Sequence, residues 1–212
     1  TQAIGRLGYH YPGAVGLDAE TLARIDGLVK EAMTQGATPG AQVLVARKGQ
    51  VVYHQNFGYI DQNMKDPVRS EHIYDLASIT KIAVTVPLLM RLVQEGKINL
   101  DQTLAYYLPE AKGTNKENLV LREILAHQSG LKPWIPFYLE TIDQGKYKEG
   151  YYGKQRNFGY PNVVSEGLYS QRYMRDTIVK RILDSDLLAK KEYRYSDLGY
   201  YLFMQIIERM EG

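Results

Sequence analysis

"YDLASITKIAVTVPLLMRLVQEGK", residues 74–97, opens with a serine three positions ahead of a lysine, Ser78 and Lys81, and continues as an apolar run. Ile79, Ile82, Ala83, Val86, Leu89, Met90 and Val93 recur every three to four residues, which predicts a helix over 79–95 stopped by Gly96. Ser78 then lies at the mouth of the helix and Lys81 on the same face, within hydrogen-bond reach of the serine hydroxyl. At that mouth the free backbone N–H groups and the positive dipole end favour a developing oxyanion. A partly desolvated lysine loses proton affinity and can serve as a base near neutral pH. The alternative is a serine that merely caps the helix and a lysine that snorkels to water. Spacing alone does not separate the two, since chance supplies an S-x-x-K in about one of every two chains of this composition. The chain carries its own control in "SGLK", where Ser129 and Lys132 share the spacing but Gly130 and Pro133 mark a helix ending in a turn. Pro87 removes one backbone bond to the Ala83 carbonyl, so a kink is expected there.

Ahead of this segment, "LDAETLARIDGLVKEAMTQ" predicts a helix over 17–35 with Asp18 and Thr21 available as caps. "AQVLVARKGQVVYHQNFGYID" predicts strands over 41–47 and 50–58 joined by a tight turn at Lys48 and Gly49. A lone hairpin is marginal in water and needs further strands or a covering helix. Downstream the patterns are helical, over 101–108, 117–126, 171–184 and 197–210, with no second strand cluster expected. Residues 133–170 are irregular and rich in Tyr and Gly, which suits either a surface excursion or a loop lining a ligand cleft. The expected organisation is one partial domain over 1–212: a helix and first strands over 17–60, then a mostly helical lobe over 70–212.

Composition narrows the function. With 44% hydrophobic and 24% charged residues the chain is a folded domain and not a disordered one. Lys plus Arg number 26 against 24 Asp plus Glu, a net +2 without a basic block, which argues against a nucleic-acid partner. There is no cysteine, and none of the four histidines sits in H-E-x-x-H spacing, so no metal site or metal cofactor is expected. The longest apolar run, "IAVTVPLLM", is too short to span a bilayer. No export signal opens the chain at Thr1, so any such signal is expected to be removed or to lie outside it.

Near the other end stands "YRYSDLGYYL", in which Tyr195, Ser196 and Asp197 immediately precede a helical pattern. A phenol and a carboxylate two residues apart can point into one cleft; Tyr59 and Asp61 repeat the spacing but close a strand. Together with "TPGAQVLVARKGQVVYHQNFGYID", "LASITK", "LVQEGKINLDQTLAYYLP" and "ILAHQSGL", these five collinear segments resemble the serine β-lactamase and penicillin-binding protein family, in its class C-like branch of β-lactamases, D-amino-acid peptidases and esterases. The resemblance implies an α+β, transpeptidase-like fold: an antiparallel sheet flanked by helices beside a mostly helical lobe. It implies Ser78 as acylated nucleophile, Lys81 as its base partner and Tyr195 as the phenol that shuttles the proton to the leaving group. His127, in the family's H-T-S-G-L-like turn, is expected to be packed and not catalytic. The substrate would be a β-lactam, a D-amino-acid peptide or a small ester, with no cofactor and an extracytoplasmic location. The rival is a non-catalytic relative that binds cell-wall peptide or a protein partner through the Tyr-rich loop.

Two departures from the family pattern stand out. Asp197 occupies the substrate-binding position where many members carry Asn; a carboxylate cannot donate to a substrate carbonyl, and its charge favours the ammonium form of Lys81. Poor β-lactam turnover is therefore expected. No K-T-G or H-T-G triplet follows Tyr195, so the sheet is expected to be incomplete in this chain and the chain alone inactive.

Overall fold

The structure is a computed structural model that describes residues 7–212. The chain divides into two compact units, Thr1–Asp75 and Leu76–Gly212.

In the first unit, strand β1 (Gly8–Tyr9), helix α1 (Ala19–Thr34), strand β2 (Gly40–Arg47) and strand β3 (Gln50–Gly58) follow in order. The sheet order is β1-β3-β2, with β1 parallel and β2 antiparallel to β3. The register runs from Gly40 opposite Gly58 to Arg47 opposite Gln50, with a bulge between Val45 and Ala46. Lys48 and Gly49 close the hairpin with φ of 52° and 74°, the paired left-handed conformation that matches strand twist in a two-residue turn. Asp18 caps α1, its Oδ1 accepting the Thr21 N–H at 2.7 Å. The Tyr53 hydroxyl donates to Asp26 Oδ1 at 2.6 Å and ties α1 to β3.

The second unit departs from the expected long helix. Residues Lys81–Thr85 form a π-helical turn, with the Val86 N–H on the Lys81 carbonyl, and α2 proper covers only Val86–Gln94. Pro87 supplies the reason: it has no N–H for the Ala83 carbonyl and its ring would press on that carbonyl in α geometry, so a wider turn ahead of it relieves both. The kink is realised as a π turn. Gly96, at φ 70°, ends the segment where expected.

Helices α3 (Leu104–Tyr107) and α4 (Leu121–Leu125) are shorter than their sequence patterns. The backbone explains it: the Leu104 N–H bonds the Leu119 carbonyl and the Leu121 N–H the Gln102 carbonyl, so the approach to each helix pairs with the other. The absence of further strands is corrected too. After α4 lie a hairpin, β4 (Ile142–Asp143) with β5 (Lys146–Tyr147), and a three-stranded sheet of β6 (Tyr152–Gly153), β7 (Asn162–Ser165) and β8 (Leu168–Ser170), ordered β6-β8-β7. Strands of two to four residues are too short to display an alternating pattern.

Helices α5 (Met174–Asp184) and α6 (Leu198–Glu211) complete the chain. The core gathers Leu89 and Leu92 from α2, Leu104, Leu121, Ile124 and Ile182 from α3 to α5, and Leu198, Leu202, Phe203 and Ile206 from α6. One stripe of α6 is therefore fully buried, which fixes its rotation and the direction of its opposite face. Gly199 lets α6 approach α4: a Cβ there would stand 2.4 Å from Ile124 Cγ2, a methyl held close to its own backbone inside the core. In Gly199→Ala the helix-propensity gain of about 1 kcal/mol is outweighed by an overpacking cost of roughly 1–3 kcal/mol. A lower urea midpoint than wild type is the expected result, and a higher one would show that the helices can move apart without loss.

Candidate active site

The turn leading to the π segment places an alanine under strain. Ala77 has φ of 43°, a left-handed conformation that costs a residue with a Cβ and clusters at functional sites. Ser78 follows it at the surface, and the Lys81 N–H bonds the Ser78 carbonyl at 3.0 Å. The same turn brings Lys81 Nζ to 3.2 Å from Ser78 Oγ.

From the far end of the sequence, Asp197 Oδ1 reaches the same amine at 2.5 Å. Asp197 stands at the N-cap position of α6, yet its carboxylate makes no cap bond. Ser196 does that work instead: its buried hydroxyl accepts the Leu198 N–H at 3.2 Å and donates to the Lys132 carbonyl at 2.6 Å. The Asp197 N–H bonds the Pro133 carbonyl at 2.8 Å. Residues 195–197 are thus pinned to the turn after α4, leaving the Asp197 carboxylate free for Lys81. Tyr195 lies beside the same amine, with Nζ 5.1 Å from the centre of its ring. Tyr200, one turn into α6, brings its ring centre within 5.5 Å of Nζ.

The lysine's charge state departs from the expectation of a neutral base. Burial, leaving its side chain 14% exposed, pulls its pKa down, but hydrogen bonds and charge from Asp197 and then Tyr195 outweigh that, and the net direction is up. At neutral pH Lys81 is an ammonium that donates to the Ser78 hydroxyl and the Asp197 carboxylate, with the Tyr195 ring beside it. Sequence reading recognised the carboxylate's effect in the Asp197 departure but underweighted it against burial.

His127, at φ 58°, packs its ring 4.5 Å from that of Tyr195 and 5.5 Å from that of Tyr200. Its Nδ1 lies 3.1 Å from the Ser196 N–H. Burial, and then the Lys81 charge, push its pKa down, so the ring is neutral with Nδ1 as acceptor and the proton on Nε2. It packs against both tyrosines.

Ser78, Lys81, Asp197, Tyr200, Tyr201 and Met204 line a cleft of about 530 Å³ within Leu76–Gly212. Ser129 and Lys132, the decoy pair, do not join it: Ser129 is buried and Lys132 pairs with Asp186 at 3.4 Å. Among the described residues no group of His, Cys, Asp or Glu could hold a metal ion, and no helix is long and apolar enough to cross a membrane. Sequence reading missed Ser196, Tyr200 and the strained Ala77. The position of Tyr200 three residues beyond Asp197 on a helix was the legible signal; the other two had none.

A family model described as Beta-lactamase matches residues 25–212. An esterase, EstB, of Burkholderia gladioli is 36% identical over 129 residues, 58% of this chain and 33% of its own length. A β-lactamase of Providencia stuartii is 31% identical over 127 residues, 59% of this chain and 32% of its own length. The chain thus spans about a third of the length of these curated relatives. Among solved structures, a class C β-lactamase superposes with a TM-score of 0.64 at 21% identity, covering 92% of this chain and 45% of its own. That likeness carries the fold: an α+β, transpeptidase-like architecture with a partial sheet.

The ion pair has a titration consequence. A lysine whose pKa is raised on folding contributes stability that is complete below its unfolded value and fades as pH rises through the folded one. In Asp197→Asn the main raising partner is gone while burial remains, so the Lys81 pKa falls relative to wild type. Titration of the Lys81 side chain by NMR reads this directly, and unchanged titration would show that Asp197 does not hold the proton. The stability difference between the two proteins should shrink at strongly alkaline pH.

Proposed function

The chain belongs to the Beta-lactamase family, matched over residues 25–212, and on that premise we propose that it carries the nucleophile, base and proton-shuttle groups of a serine hydrolase working by acyl transfer. The observation that supports this most is the convergence on one amine: Ser78 Oγ lies 3.2 Å and Asp197 Oδ1 2.5 Å from Lys81 Nζ, with the Tyr195 ring centre 5.1 Å away. In the proposed reaction the fraction of Lys81 that has released its proton to solvent takes the Ser78 proton as Oγ bonds to the substrate carbonyl carbon. The bond to the leaving group breaks, the leaving group takes a proton through Tyr195, and water then releases the acyl group by the reverse route. No organic cofactor or metal enters these steps.

The ammonium state of Lys81 shapes the substrate side of the proposal. A lysine that holds its proton tightly is a slow base, and the Asp197 carboxylate cannot donate to a carbonyl as an amide can. We therefore read the protein as favouring an ester or peptide-like substrate over a β-lactam. An extracytoplasmic location is part of the same reading and rests on kinship alone.

Labelling of the full-length protein with a fluorescent alkyl phosphonate tests the nucleophile. Label that disappears in Ser78→Ala is expected, with labelling slowed about 10²–10⁴-fold in Lys81→Ala. A wild type that never labels would mark a binding protein without catalysis. For the substrate preference, Asp197→Asn should acylate with a chromogenic cephalosporin about tenfold faster, because the lysine gives up its proton more readily without the carboxylate. A wild type already fast, and unaffected by the change, would sink the role given to Asp197.

A further inference from the structure

A second cavity, of about 280 Å³, carries none of the chemistry described so far. Five aromatic side chains line it, Trp134, Phe137, Tyr138, Tyr152 and Tyr201, all within Leu76–Gly212. Tyr201 also lines the Ser78 cleft, so one residue belongs to the walls of both spaces. The phase of α6 accounts for this. With Leu198, Leu202 and Ile206 fixed in the core, Asp197, Tyr201 and Met204 are left on the face toward the cleft. Phe137 meets Tyr201 edge to face, ring centres 5.9 Å apart, and carries the aromatic wall from α6 onto residues 133–141. That stretch begins at the two carbonyls, of Lys132 and Pro133, that hold Ser196 and Asp197. One anchor therefore sets both the carboxylate beside Lys81 and the aromatic wall.

The chemistry of the wall selects its occupant. No charged side chain lines the cavity. The Thr141 hydroxyl donates to the Tyr138 carbonyl at 2.7 Å and lies 3.1 Å from the Tyr152 hydroxyl, so these polar atoms are turned on one another. A charged group would leave water there without a charged partner. A flat apolar ring loses nothing on entry and meets aromatic edges and the Met174 thioether. The volume sits just under the range of about 300–1,000 Å³ typical of sites for drug-sized ligands, which suits a single ring.

We propose that this cavity is a specificity pocket seating an uncharged aromatic ring carried by the substrate whose carbonyl reaches Ser78. The proposal rests on the reading of Ser78 as nucleophile and extends it to substrate class: esters or amides bearing a phenyl-sized group. Tyr201, between the two spaces, is the residue that sets the reach from ring to carbonyl.

The chain's single tryptophan, Trp134, lines this pocket, so its emission reports the pocket's occupancy. Phenylacetamide, a neutral molecule carrying one phenyl ring, is the probe. A saturable change in emission is expected, unaltered in Ser78→Ala and weakened about tenfold in Ile178→Phe, which fills the pocket. Tyr138→Ala, at a position 54% exposed, should weaken it similarly and carries the test should the filled variant fail to fold by circular dichroism. No saturable change, an equal response to acetamide or N-acetylglucosamine, or indifference to both pocket variants would overturn the proposal. Survival of binding in Ser78→Ala keeps this outcome separate from phosphonate labelling, which judges the nucleophile alone.

Discussion

The contact between Lys81 Nζ and Asp197 Oδ1, at 2.5 Å, joins residues 116 positions apart and organises everything around it. It brings the turn at Ser78 and the start of α6 to one point, and it sets the lysine's protonation. Burial and a carboxylate pull that protonation in opposite directions, and the carboxylate wins. A partly buried ammonium without Asp197 would lack its anion, while with it the charge is held between two oxygens. The charge beside the Ser78 hydroxyl is therefore set from a segment distant in sequence.

Two local distortions make the contact possible. Ala77 sits at φ 43° immediately before Ser78, and the π turn over Lys81–Thr85 immediately follows. Both are costs in backbone terms, and both lie where the unit has no freedom to relax them: α2 is held beyond Pro87 by Leu89 and Leu92 in the core. On the opposite side, Ser196 and His127 fix the Tyr195–Asp197 segment without entering the cleft. The Ser196 hydroxyl takes the helix-cap bond that Asp197 would otherwise make, and that substitution frees the carboxylate.

The fold serves the site through α6. Its buried stripe, Leu198, Leu202, Phe203 and Ile206, fixes the helix's rotation. The other face then supplies the carboxylate, the rings beside the lysine and the wall shared with the aromatic cavity. Gly199 permits the close approach to α4 that makes this rotation stable.

The sequence by itself was enough for the family's fold, the α1 and β2–β3 elements and the S-x-x-K and Y-x-D segments, because periodicity, turn chemistry and collinear motifs are local properties. Asp18 as cap, the two-residue turn at Lys48 and Gly49, and the stop at Gly96 were legible for the same reason. What only the tertiary structure decided is which charges meet. The π turn depends on how Pro87 is accommodated against a fixed core, and the small strands between residues 142 and 170 are too short to leave a pattern. The proton on Lys81 is set by a balance of burial against two oxygens contributed from more than a hundred residues away, a quantity that no window of sequence contains.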